Sequence, residues 1–216
     1  MMAEQLDLNA DNQNKLSELA ITALQEGKLI IAPLEHAYVF VADAFNHGAV
    51  KKMHAIRGDD RGVAAQVLVG DLKTATGITR EFGTTTRSIC EKFWPGLLTL
   101  RIAPAEGLVW DLGDARSLSE IAIRVPAANF IREVALVAGP LAIASASRTG
   151  TPPNRKGIIF PALDSDYAFA FHAGELPEGN ASTVISVKSD GITLVRQGAI
   201  SLSELRTVTP NIAVPA

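Results

Sequence analysis

The chain has 216 residues, 47% of them hydrophobic and 20% charged, a balance that supports a packed core and excludes a disordered polyelectrolyte. Its net charge of -3 gives no global basic signal for nucleic acid. The single cysteine, Cys90, excludes an intrachain disulfide and a multi-cysteine metal site. Acidic and amide residues near the start, in place of a basic stretch followed by an apolar run, predict no signal peptide. No apolar run reaches the ~20 residues that span a bilayer. A soluble, cytoplasmic protein without a membrane partner is expected.

Residues 1–10 read as a flexible lead-in and 208–216 as a frayed tail, with one domain over 11–207. Asp11 to Gln25 predicts an amphipathic helix capped by Asp11, with Leu16, Leu19, Ala20, Ala23 and Leu24 on one stripe. Lys28 to Pro33 reads as a buried strand. Leu34-Glu35-His36 then leads into a second extended piece, Glu35 and His36 standing either as acid, base or ligand, or as a solvated turn. A helix over Asn46 to Ile56 enters Arg57-Gly58-Asp59-Asp60-Arg61-Gly62. Its arginines suit anion binding by bidentate hydrogen bonds, unless the intervening aspartates cancel them.

Further strands are expected at Ala64 to Val69 and Leu97 to Ile102, with helices from Leu72 and over Thr84 to Phe93. Cys90 falls in that last helix, as a structural or a reactive thiol. Residues 103–120, with Trp110-Asp111-Leu112-Gly113-Asp114, read as a surface excursion. In Ile121 to Val125, apolar residues alternate with Ala122 and Arg124, predicting a strand with one buried face. A helix starting near Phe130 ends at Gly139-Pro140, and Leu141 to Ala144 returns as a strand. It opens into Ser145-Ala146-Ser147-Arg148-Thr149-Gly150, chemically suited to phosphate or carboxylate at a strand's carboxyl end, or simply a polar turn. Residues 154–165 read as a mobile connection. Strands at Tyr167 to Phe171 and Val184 to Val187, a hairpin at Asp190-Gly191, a strand at Ile192 to Val195 and a helical turn at Ser203 to Leu205 complete the chain. The order predicts an α/β domain with a twisted, mixed parallel and antiparallel sheet flanked by helices.

Five stretches, in order, resemble the YrdC-like threonylcarbamoyl-AMP synthases: Phe93-Trp-Pro-Gly-Leu-Leu-Thr-Leu100, Ile121-Ala-Ile-Arg-Val-Pro126, Pro140-Leu-Ala-Ile-Ala-Ser-Ala-Ser147, Ser182-Thr-Val-Ile185 and Leu194-Val-Arg-Gln-Gly198. Trp110 to Asp114 is similar to the actinobacterial version. The resemblance implies a single YrdC-like domain and a reaction of L-threonine, bicarbonate and ATP that yields threonylcarbamoyl-adenylate and pyrophosphate. It further implies Mg²⁺ held largely through the phosphates, and tRNA or tRNA-modification proteins as partners. Carried over by position, Arg124 meets the threonine carboxylate, and His36, Ser145 and Ser182 line the amino-acid site. Arg57, Arg61, Ser147 and Arg196 face the nucleotide. No catalytic residue and no protein-held metal is implied.

Departures from the family pattern concentrate in the site. Leu34 and His36 stand where the family has threonines, Asp59 where it has an arginine, and Ser147 where it has an asparagine. An aspartate at 59 is expected to repel phosphate. Three functions therefore follow from the sequence: a working synthase, a non-catalytic relative that binds nucleotide or RNA, and an adenylate-forming enzyme for another amino acid.

Overall fold

Alternation within the strands decides how the layers stack. Tyr38, Phe40 and Ala42 face one apolar core, whereas Val39 and Val41 face a second. Ile31 and Ile30 divide in the same way. Strands buried on both faces need helices on both sides, which is why they read as continuous apolar runs. The computed structural model describes residues 4–80, 82–115, 119–157 and 167–214.

The described elements are β1 (Glu4–Asp7), α1 (Gln13–Gln25), β2 (Ile30–Pro33), β3 (Tyr38–Asp43), α2 (His47–Arg57), β4 (Gln66–Leu68), α3 (Leu72–Gly77), α4 (Thr84–Phe93) and β5 (Leu98–Ile102). They continue with β6 (Ile121–Arg124), α5 (Asn129–Ala138), β7 (Leu141–Ser145), β8 (Phe169–His172), β9 (Thr183–Lys188), β10 (Gly191–Arg196) and α6 (Leu202–Arg206). The strands form one mixed sheet in the order β1-β8-β2-β3-β7-β4-β6-β5-β9-β10. β4 and β6 pair parallel, as do β5 and β9, while β3 and β7, and β9 and β10, pair antiparallel. α1 and α5 close one face through Leu16, Ala20, Leu24, Phe130, Ile131 and Val134. α2 and α4 close the other through Val50, Met53, Ile89 and Cys90.

The expected α/β architecture holds, and the differences are local. The lead-in is not loose over its described part: β1 pairs parallel with β8, and the Leu8 amide donates to the His172 carbonyl. Glu-Gln-Leu-Asp carries no strand signal of its own, so its order comes from a partner some 160 positions away. The tail is docked as well, because Ala213 bridges Thr193 on the outer strand β10 and Ile212 is buried. The first helix begins later than predicted. Asn12 takes the cap position without a side-chain cap bond, because its Oδ1 accepts from the Asn9 amide at 3.0 Å while its Nδ2 donates to the Asp7 carbonyl at 2.8 Å. Residues 106–109 of the 103–120 segment run over the surface as expected, but Trp110 and Leu112 join the core, so the Trp110 to Asp114 motif is not part of an excursion. Most of the predicted mobile connection, 158–165, lies outside the described residues.

Two glycine-containing motifs are explained by packing. In Trp94-Pro95-Gly96 the indole Nε1 donates to the Leu98 carbonyl and the Gly96 amide to the Val125 carbonyl, which seats the start of β5 beside the end of β6. Gly198 lies so close to the strand lead-in that a Cβ there would come within 2.1 Å of the Ala181 carbonyl oxygen. Backbone cannot yield as a side-chain tip does. Gly198→Ala is therefore expected to cost about 1–3 kcal/mol and to displace Ser182, read as a fall in thermal midpoint of about 2–4 °C per kcal/mol.

Candidate functional site

The core under α1 and α5 stops at Leu68 of β4. Farther along the same face the strands carry polar side chains: Gln66, Thr99 and Arg124 alternate with Val67, Leu98, Leu100 and Ile123, which point to the opposite core. A cavity of about 960 Å³ opens over this uncovered part of the sheet. It gathers His36 from the β2–β3 turn, Arg57 from the end of α2 and Arg124 from the end of β6. Ser145 at the end of β7, Ser182 just before β9 and Arg196 at the end of β10 join them. Six of the eight expected site residues thus meet at one cavity. Arg61 is exposed in the turn after α2, and Ser147 sits behind Ser145, neither of them in the cavity wall.

Arg124 is the most deeply held cation, its side chain 5% exposed. Nη1 lies 3.0 Å from both carboxylate oxygens of Glu35, and Glu35 Oε1 also accepts from the Ala127 amide at 2.8 Å. Glu35 is therefore neither a solvated turn residue nor a free acid or base; it orients Arg124. The Arg124 Nε is buried with no partner among the described residues.

The loop after α2 corrects the expectation for Asp59. Its carboxylate does not face phosphate as a bare charge: the side chain is 2% exposed and accepts from Arg57 Nε and His54 Nδ1, each at 2.8 Å, and from Thr149 Oγ1. Burial alone would raise its pKa, but hydrogen bonds from Arg57, Thr149 and His54, with the Arg57 charge, hold it below the ordinary aspartate value. His54 Nε2 reaches the Leu112 carbonyl at 2.8 Å, so both ring contacts are hydrogen bonds only when each nitrogen carries a proton. Gly113 leaves the room, since a Cβ there would lie 2.3 Å from the imidazole. Arg57 Nη1 donates to the carbonyls of Ser145 and Ser147. The network ties the end of α2, the 112–113 turn and the 145–149 loop together.

Ser182 is held from two sides, by Thr99 Oγ1 at 2.8 Å and by Arg196 Nη2, which donates to its carbonyl at 2.8 Å. Its neighbour Thr183 is fully buried; its hydroxyl donates to the Ile200 carbonyl and accepts from the Gly198 and Ile200 amides. The Ser-Thr motif thus splits into one cavity residue and one structural residue. His36 Nδ1 lies 3.2 Å from the Pro177 carbonyl, and its ring fills the space where a side chain at Gly179 would go. Arg155, which sequence reasoning did not select, also lines the cavity, and fastens the opposite wall through the Leu176 carbonyl and Glu178. Its only sequence signal was a cation after a Pro-Pro break.

Among the described residues, no group of three or more His, Cys, Asp or Glu could hold a metal ion. The cavity's carboxylates Glu35, Asp59 and Glu178 are each engaged by a cation, so the described residues offer Mg²⁺ no carboxylate ligand set. Burial pushes the Cys90 thiol up to about 12, which makes it a structural residue. No helix among the described residues is long and apolar enough to cross a membrane.

Comparison with known proteins identifies the chain's relatives. A relative from Mycobacterium leprae, named putative threonylcarbamoyl-AMP synthase, is 31% identical over 198 residues, covering 88% of this chain and 86% of the relative. The threonylcarbamoyl-AMP synthase of Bacillus subtilis is 30% identical over 194 residues, 88% of this chain and 55% of that protein. The P. abyssi Sua5 solved in complex with L-threonine superposes with a TM-score of 0.85 at 24% identity; the match covers 100% of this chain and 63% of that one, and shows a shared fold. The Sua5/YciO/YrdC family model, described as "Telomere recombination", matches residues 22–198. The chain belongs to the Sua5/YciO/YrdC family.

Proposed function

We propose that this protein is a threonylcarbamoyl-AMP synthase that supplies the adenylate used for threonylcarbamoyl-adenosine modification of tRNA. The observation that carries the proposal is the convergence of Arg124, Ser145, Ser182 and Arg196, from four separate segments, on one cavity in a chain about 30% identical to synthases over most of its length. L-threonine's amine adds to bicarbonate carbon with loss of water. A carbamate oxygen then attacks the α-phosphorus of ATP, and pyrophosphate leaves. Neither step requires a covalent enzyme nucleophile. The cavity's contribution is positioning and electrostatic: Arg124 holds a carboxylate, Ser145 and Ser182 donate to carbamate or carboxylate oxygens, and Arg196 faces phosphate. Exclusion of water protects the unstable carbamate. Mg²⁺ arrives with the nucleotide's phosphates.

One observation favours a second reading, a non-catalytic nucleotide binder: Arg57, the expected phosphate contact, is already committed to Asp59 and two carbonyls. Labelled bicarbonate separates the two. Incorporation into an adenylate that depends on both ATP and L-threonine is expected of the synthase; nucleotide binding without incorporation supports the binder.

A further inference from the structure

A directional hydrogen-bond chain lies under the cavity. Gln66 Nε2 donates to Thr99 Oγ1 at 2.9 Å, and Thr99 Oγ1 donates to Ser182 Oγ at 2.8 Å. Arg196 Nη2 approaches the same Ser182 oxygen at 3.4 Å. Thr99 is 3% exposed, so its hydroxyl has no recourse to bulk water. A hydroxyl carries one proton. Thr99's proton is spent on Ser182, whose oxygen receives it, and the Ser182 proton has no acceptor among the described residues. Ser182 lines the cavity, so that proton is available to a ligand there.

We infer that Gln66 is a positioning residue that, acting through Thr99, fixes Ser182 as a hydrogen-bond donor toward a carboxylate or carbamate oxygen of the substrate. The inference rests on the proposed function, in which Ser182 meets the amino-acid end of the ligand. Its physical content is polarity. A carboxylate at position 66 accepts only; Thr99 would donate to it, Ser182 would donate to Thr99, and the substrate would meet a lone pair in place of a proton. An apolar side chain at 66 removes the first link but leaves Thr99 free to keep donating to Ser182.

The test compares Gln66→Leu and Gln66→Glu, each alone and with Ser182→Ala, by calorimetric L-threonine binding and by kcat and KM, with thermal midpoints as a check on folding. Gln66→Glu is expected to weaken L-threonine binding about tenfold, the scale of one hydrogen bond reversed. Gln66→Leu should stay within about threefold, and Gln66→Glu should have no further effect once Ser182 is alanine. Equal losses for Gln66→Leu and Gln66→Glu would overturn the inference, because packing would then be the cause. A Gln66→Glu loss undiminished in Ser182→Ala would overturn it too, because the added charge would be acting directly. If Ser182→Ala alone binds L-threonine as the wild type does, the substrate role of Ser182 falls, and the inference with it.

Discussion

Asp59→Ala should lower the thermal midpoint by roughly 10 °C, the scale of breaking a buried ion pair at about 3–5 kcal/mol in a chain of this size. The substitution leaves Arg57 and His54 facing each other without their shared anion, and removes the acceptor of the Thr149 hydroxyl, whose amide still holds the Arg57 carbonyl. Asp59→Arg, which restores the family's usual cation, should be at least as damaging, since it sets a second guanidinium beside Arg57 where the shared anion was. Acid gives a second check. The folded pKa of Asp59 lies below its ordinary value of 3.8, so its stabilisation is complete above that value. It is lost as pH falls through the lower folded value, and the gap between wild type and Asp59→Ala should close there. Stable Asp59→Arg protein with tighter nucleotide binding would show that this network is not what holds the loop.

Arg124→Ala should combine two losses. It strands the Glu35 carboxylate, 13% exposed, with only the Ala127 amide, and should cost about 3–5 kcal/mol in stability. It should also weaken L-threonine binding about 100-fold, within the range for truncating one partner of a buried charged contact. Glu35→Gln separates the two. It can still accept from Arg124 and Ala127, so stability should fall less and amino-acid binding should largely survive. Wild-type threonine affinity in a folded Arg124→Ala protein, measured by calorimetry, removes the carboxylate assignment.

What was legible in the sequence and what was not follows from where each signal resides. Alternation in Ile121 to Val125 and the helical stripe of α1 are local, and both elements form, but Leu19 of the expected stripe is exposed and Arg124, expected on the open face of its strand, is buried against Glu35. The docking of β1 and of Ala213 is not local; each depends on backbone bonds to a distant strand, which leave no periodic trace. The same division runs through the site. Arg124 and Arg196 are legible through the family motifs that contain them, and Ser145 also through its place in a polar loop at a strand's carboxyl end. The aspartate that the sequence places between two arginines does pair with Arg57, but its other partners, His54 on α2 and Thr149 in a loop 90 positions on, are not legible from the local run of charges. Gln66 and Arg155 escaped notice for the same reason, each acting through side chains or carbonyls far along the chain.

Pyrophosphate release from ATP and bicarbonate by the purified protein, with and without L-threonine, tests the functional account most directly. The account predicts release that depends on threonine and is lost in Arg196→Ala. Absence of release, with an active synthase run alongside as control, would contradict it and leave a cavity that binds without turning over.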